Sequence, residues 1–479
     1  MALEHVATEL LLLIPSRTVL LCLQMPRPDL IDSTVLGLAP KSVATIRTFL
    51  QADKIQAALR EAQRVTQRVR KLPLESMVVF VVAMSLFRSH SMEHLALLLG
   101  LASSDSGVMG LASSSLVEAR DRLGAAPVRG LFYALAEDVV KQQSAHTARW
   151  RSLSLWSVDG TSLRVADSKA NRREFGGHSG GPRGHSAYPL VRVVALMALS
   201  SRQIVQAVFG PFARSEIALA QPIWSQLQDN SLVIVDRNFG SAAILHAIER
   251  GGEQRHWLIR LKKNARYTIV RSLGDGDWLV QRCVSPTARK KDPTLPTSYF
   301  ARVICYQMPG FPAQKLMTSL LSPVNFPSNE IRTLYHLRWD IELGFDEIKT
   351  ELLDRRESLR SRTPERVRQE IWGLFLAHNY VRSELCVIAK TAKLPPSRIS
   401  FIAVLRRIRV YLVVMISVND DNIPIQLQRY LTHLPPLVLR PRRPERHYPR
   451  AVKIKMSSYA KKRPASATLA RNDIGKIAA

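Results

Sequence analysis

The stretch LYHLRWDIELGFDEIKTELL, residues 334–353, decides how the rest of the chain is read. It holds five acidic side chains, two Lys/Arg and a row of aliphatics. The apolar spacing predicts a helix starting at about Ser328, with a turn of about 100° per residue. With Tyr335 set at zero, Arg338 falls at about 300°, Glu342 at about 340° and Lys349 at about 320°, on one stripe. Leu334, Ile341, Ile348 and Leu352 form the adjoining apolar stripe, at roughly 220–260°. Asp340, Glu347 and Glu351 gather opposite, at roughly 120–160°, and are expected to face solvent. Asp346 lies only about 40° from Glu342, so periodicity leaves both as candidate functional acids. Taken alone, the pattern also fits an ordinary surface helix, in which i,i+4 charge pairs add a few tenths of a kcal/mol each.

Upstream segments change that balance. "LSLWSVDG" (153–160) is a short β-prone run ending in Asp159-Gly160. "YPLVRVVALMALSSRQIVQAVFG" (188–210) reads as two strands joined at Ser200-Ser201. Then come a helix (215–227), a buried strand "SLVIVD" (231–236), a helix stopped by glycine (241–251) and a strand (256–261). About sixty basic, β-leaning residues (262–325) separate these from the opening helix. The order β, β-β, α, β, α, β, insertion, α is expected to give an α/β, ribonuclease H-like core. By itself Asp159 suits a turn and Asp236 a strand-end cap. Together they end adjacent strands, with a helix acid packed beside them. Three converging carboxylates repel one another unless cations neutralise them. Such hard oxygen donors suit Mg²⁺ or Mn²⁺. Two such ions about 3.5–4 Å apart activate one oxygen and stabilise another in phosphodiester chemistry.

Residues 1–150 read as a helical domain, 151–380 as the catalytic domain, and 381–479 as a helical region with a basic tail. Residues 440–463 carry ten Lys/Arg and one acid, Glu445. The chain has 479 residues and a formal net charge of +29, which points to a polyanionic partner. The longest apolar run, Met77 to Phe87, is far short of the roughly 20 residues a spanning helix needs. The leucine-rich N-terminus lacks a basic n-region and is broken by Pro15 and Arg17, so a cytoplasmic protein is expected. Cys22, Cys283, Cys305 and Cys386 form no C-x-x-C, which argues against a zinc knuckle. The chain has no P-loop motif, so no nucleotide cofactor is expected.

Tyr335, Arg338, Glu342 and Lys349 match the Y-xx-R-xxx-E-xxxxxx-K signature of bacterial insertion-sequence transposases of the DDE class. "WSVDGTSLRV" and "LVIVDRNFGS" resemble that family's first and second acidic motifs. "SSSLVEARDRLG" (113–124) and residues 359–382 are also similar to family stretches, and the resemblance covers roughly residues 40–460. It implies that Asp159, Asp236 and Glu342 bind two Mg²⁺ ions, with Mn²⁺ as a substitute, and it selects Glu342 over Asp346. It implies hydrolysis at the transposon ends, then attack of the freed 3′-hydroxyl on target DNA. Tyr335, Arg338 and Lys349 would hold the end's phosphates, and two copies would pair the two ends. Trp339 is a candidate for stacking on a displaced base; Trp257 and Trp278 suit that role or core packing. Arg120 and Arg122 are candidate DNA contacts of the N-terminal domain.

Rival readings use other residues. A tyrosine recombinase would use "HYPR" (447–450) and Tyr459, but Pro449 disfavours the helical context. A DNA-binding protein without activity fits the charge but has no use for the acids. A structure-selective nuclease would share the fold but lack the tyrosine–arginine–lysine stripe.

Overall fold

The computed structural model describes residues 46–64, 72–101, 111–143, 149–178, 188–262, 264–307, 313–354, 358–414 and 437–440. The described residues from 46 to 439 belong to one compact unit. The basic tail beyond Arg440, the HYPR stretch and Tyr459 lie outside the described residues.

The N-terminal helices are α1 (Ala52–Glu61), α2 (Leu74–Leu86), α3 (Met92–Leu98), α4 (Ser113–Leu123) and α5 (Ala126–Gln143). Met77 through Leu86 of α2 are all buried, as expected of a helix that is apolar all round. α4 ends at Gly124, whose φ of 68° is the left-handed conformation glycine tolerates. The strands and helices that follow are β1 (Arg149–Trp150), β2 (Leu153–Arg164), α6 (Lys169–Phe175), β3 (Leu190–Ala198), β4 (Ile204–Pro211), α7 (Glu216–Trp224), β5 (Ser231–Val235), α8 (Ala242–Arg250) and β6 (Arg255–Arg260). The insertion supplies β7 (Thr268–Gly274), β8 (Asp277–Cys283), α9 (Pro286–Lys291), β9 (Ser298–Tyr306) and β10 (Gln314–Thr318). The chain then forms α10 (Ser328–His336), α11 (Trp339–Asp346), a π-helical turn Glu347–Leu352, α12 (Pro364–Thr391) and α13 (Phe401–Val414).

The sheet has ten strands in the order β4-β3-β2-β5-β6-β10-β9-β8-β7, with β1 on β2. β2, β3 and β4 are antiparallel, and β5 and β6 run parallel to β2. Those five strands are the expected ribonuclease H-like order. The insertion continues the same sheet, because β10 pairs antiparallel with β6.

Side-chain alternation sends β2 and β5 residues to two layers. Trp156, Val158, Val233 and Val235 enter one core with α7 and α8. Leu153, Leu232 and Ile234 enter another with Leu334 and Tyr335 of α10. A third core joins the N-terminal helices to α12, to Leu163 of β2 and to Ile341 and Phe345 of α11. The approach of α2 to α12 depends on Gly373: a Cβ there would lie 2.6 Å from Val81 Cγ1 and 2.8 Å from its carbonyl oxygen. Among the described residues, no helix is long and apolar enough to cross a membrane.

Candidate active site

Two acids meet through strand register. β2 and β5 pair in parallel from Ser154 with Ser231 to Val158 with Val235, a constant offset of 77 positions. Asp159 and Asp236 share that offset and follow directly, so they lie side by side at roughly the 4.8 Å spacing of neighbouring strands. Asp236 follows the last residue of β5. Asp159 corrects an expectation, because it sits inside a strand rather than at its end. The reason is β3, which stays paired with β2 as far as Arg164 with Leu190. Asp159 therefore marks where the parallel ladder stops while the antiparallel one continues.

The third acid arrives on the helical segment. α10 and α11 are not one regular helix. Between them the amides of Leu337, Arg338, Asp340 and Ile341 bond to carbonyls three residues back. Beyond Asp346 the chain widens into the π-helical turn. These steps shift the phase that a uniform 100° rotation assumes. Tyr335, Arg338 and Glu342 converge on the aspartates. Lys349 instead lines a hollow with Ser162, Leu163 and Arg164, farther along β2 than Asp159.

Arg338 is the centre of the cluster. It donates to Glu342 Oε1 at 2.7 Å, and its Nη1 lies 3.8 Å from Asp159 Oδ2. Burial works against its charge, yet Tyr335, Glu342 and Asp159 together hold its pKa above the ordinary arginine value. Asp159 is pushed up to about 6, chiefly by burial; the Gly160 N–H and Arg338 oppose the rise, and Glu342 and Asp236 add to it. Tyr335 is pushed up to about 12, chiefly by burial and further by Asp236, so it keeps its proton and donates near neutral pH. Asp346 is exposed and accepts from the Thr350 hydroxyl at 3.1 Å, away from this cluster.

Among the described residues, no group of three or more His, Cys, Asp or Glu side chains is drawn together closely enough to hold a metal ion. The chemistry of the donor set still fits a hard divalent cation. All its donors are carboxylate oxygens, and Asp159 is raised chiefly by burial and further by the like charges of Glu342 and Asp236. Glu342 has the most open side chain of the ion-paired group, 38% exposed.

Other expected residues fall elsewhere. Trp339 is 48% exposed, with the Arg338 guanidinium 5.0 Å from its ring, so it is no core residue. Trp257 is a core residue, wholly buried, donating to Glu249 at 2.7 Å. Arg120 is a correction. It is 2% exposed and donates to Gln369 at 2.8 Å and Ser361 at 3.0 Å, which leaves no guanidinium face for DNA. Its helix packs on α12, so the arginine ties two helices together. Arg122 is half-buried, its Nη2 3.5 Å from the Leu72 carbonyl.

The expected solvent face of the helix is also corrected. Asp340 and Glu347 have side chains only 15% and 12% exposed, and both pair with Arg202. Glu347 also accepts from Arg382 and His378 of α12. Rotation along one helix places its faces relative to one neighbour; here a second layer, α12, covers the far side. The sequence signal for these partners is faint: Arg202 stands in the turn after Ser200-Ser201, and Arg382 ends the stretch 359–382.

Residues 150–380 match the transposase DDE domain, and residues 40–133 match the insertion element 4 transposase N-terminal region. Transposase InsG for insertion sequence element IS4, of Escherichia coli K12, is 35% identical over 414 residues, covering 86% of this chain and 92% of that protein. A putative transposase, InsZ, of the same organism is 32% identical over 243 residues, covering 50% of this chain and 80% of its own. Among solved structures, a chain of the piggyBac transposase synaptic complex with hairpin DNA aligns over 83% of this chain and 86% of its own, at 12% identity and a TM-score of 0.39. With the DDE-domain and IS4 N-terminal matches and a relative 35% identical over 86% of the chain, the chain belongs to the IS4 family of DDE transposases.

Proposed function

We propose that the chain binds the terminal inverted repeats of an insertion sequence, cleaves phosphodiesters at its ends and joins the freed 3′-hydroxyls to target DNA. What supports this reading is the register that sets Asp159 beside Asp236, with Glu342 of α11 linked to Asp159 through Arg338. Asp159, Asp236 and Glu342 would hold divalent metal, Mg²⁺ or Mn²⁺. When bound, two such ions supply activation of the attacking oxygen and stabilisation of the leaving one.

The protein's own groups do the rest. Tyr335, protonated at neutral pH, offers its hydroxyl to a phosphate oxygen. Arg338 offers a planar, permanently charged fork, which suits phosphate better than a lysine would. Lys349, along β2, would take the next phosphate as a point charge. Trp339, exposed beside Arg338, offers a face for a displaced base. Arg122 and the basic tail would add phosphate contacts away from the chemistry. Two copies would bring the two ends together, in the cytoplasm at the nucleoid.

The test is incubation of the purified full chain with Mg²⁺ and DNA carrying the terminal repeats. End cleavage is expected to vanish in Asp159→Ala, Asp236→Ala and Glu342→Ala and to persist in Asp346→Ala. Cleavage by Glu342→Ala at the wild-type rate overturns the reading.

A further inference from the structure

We infer that Arg202 is a positioning residue for Glu342. It fastens both flanks of the short helix that carries the acid. The inference rests on the proposed role of Glu342 as the third metal-binding carboxylate.

Arg202 sits in the turn between β3 and β4, with a φ of 58°. Its side chain is only 12% exposed. One guanidinium nitrogen, Nη2, donates to Asp340 Oδ1, two residues before Glu342. The other, Nη1, donates to Glu347 Oε1 at 3.3 Å, five residues after it. A planar fork with fixed geometry spans the two carboxylates, which a lysine ammonium does not reproduce.

The turn is itself held still. Asn379 of α12 accepts from the Ile204 amide at 2.9 Å and donates to the Ile204 carbonyl at 2.7 Å. Gln203 donates to the Ser383 hydroxyl at 3.0 Å. From the same helix Arg382, 1% exposed, donates through Nε to Glu347 Oε2 at 2.9 Å. His378 Nε2 lies 3.2 Å from the same oxygen. Two arginines thus meet two carboxylates, and a buried histidine completes the shell. The charge balances without any contribution from Glu342, which points the other way, to Arg338.

The π-helical turn starts at Glu347, so the helix changes its winding where the network grips it. Such turns often mark functional sites. An acid that must reach metal from a short, irregular helix depends on having both flanks fixed, because a displacement of about 1 Å is enough to cost about 10²-fold in rate.

The experiment compares wild type, Glu342→Ala, Arg202→Met, Arg202→Lys and Asp340→Asn, each as the full chain. Three quantities are read: Mn²⁺ binding to the metal-free protein by electron paramagnetic resonance, affinity for terminal-repeat DNA without divalent metal, and the Mg²⁺ concentration giving half-maximal cleavage. Arg202→Met is expected to weaken Mn²⁺ binding and raise the Mg²⁺ midpoint by about tenfold, while DNA affinity stays as in wild type. Arg202→Lys recovers part of the loss, and Asp340→Asn shows a smaller loss of the same kind. If Arg202→Met fails to fold, Asp340→Asn decides. Wild-type Mn²⁺ binding and Mg²⁺ midpoint in folded Arg202→Met or Asp340→Asn, even with a lowered melting temperature, overturn the inference. Cleavage by Glu342→Ala overturns the underlying reading instead, so the two failures are distinct.

Discussion

The two sides of one helix carry opposite kinds of charge cluster. On the sheet side Asp159 and Glu342 share one arginine, Arg338, with Asp236 beside Asp159, and Asp159 is pushed up to about 6 by burial and by its neighbours. On the far side Asp340 and Glu347 meet Arg202 and Arg382 charge for charge. There Glu347 is held down to about 2; burial opposes this, and Arg382 and His378 outweigh it. Both clusters set carboxylates against arginine, the far-side one deeper than the other. The difference is balance. A balanced network holds shape, whereas a surplus of like charge marks a site that waits for a ligand.

The largest test of that contrast is removal of charge from the unbalanced side. Asp159→Asn is expected to abolish end cleavage by about 10³-fold or more, the scale of several kcal/mol lost from the transition state. The metal-free protein should at the same time melt no lower than wild type, because a repulsion has been removed. Calorimetry beside the cleavage assay checks both. A clear loss of melting temperature would mean that the acids form a structural network after all.

Charge removed from the balanced side should do the reverse to stability. Arg382→Met takes a buried partner from Glu347, and loss of one member of a buried pair costs about 3–5 kcal/mol. Denaturant unfolding measures it. Acid gives a second reading. Glu347 has a folded pKa of about 2 against an ordinary 4.5. Its contribution is therefore complete above pH 4.5 and is lost as pH falls from there toward about 2. His378, whose pKa burial lowers from 6.5, acts in the same direction from a higher pH, since it must charge on unfolding. Glu347→Gln should flatten the lower part of the acid unfolding curve. An unchanged curve would show that the pairing contributes nothing.

What the sequence disclosed follows the same division. The strand order, the β-rich insertion and the adjacency of Asp159 and Asp236 were legible, because alternation and spacing are local and the offset of 77 recurs as register. Rotation left Glu342 and Asp346 level as candidates; the two touch different partners, Arg338 for Glu342 and Thr350 for Asp346. The far-side network was not legible. Arg202 and Arg382 lie 145 and 35 positions from Glu347, and nothing along one helix announces a second layer. Arg120 was misplaced for the same reason: its partners Ser361 and Gln369 lie 241 and 249 positions away in the chain. Buried arginines paired across long separations look, in sequence, like surface charge.

The smallest test asks whether burial, rather than pairing as such, separates structural charge from surface charge. Asp121 and Arg366 join α4 to α12 at 2.6 and 3.0 Å, a bidentate geometry like that of Arg382 with Glu347. The difference is exposure: Asp121 is 50% exposed, so water screens the pair. Exposed pairs contribute about 0.2–1 kcal/mol. Asp121→Asn should therefore lower unfolding free energy by about 0.5 kcal/mol, and by less as salt is added. Arg382→Met should keep most of its cost under the same salt, since its partner is shielded from ions. Equal costs for the two substitutions would mean that geometry, not depth, sets the strength of these bridges, and balance alone would then fail to tell the scaffold side of the helix from its active side.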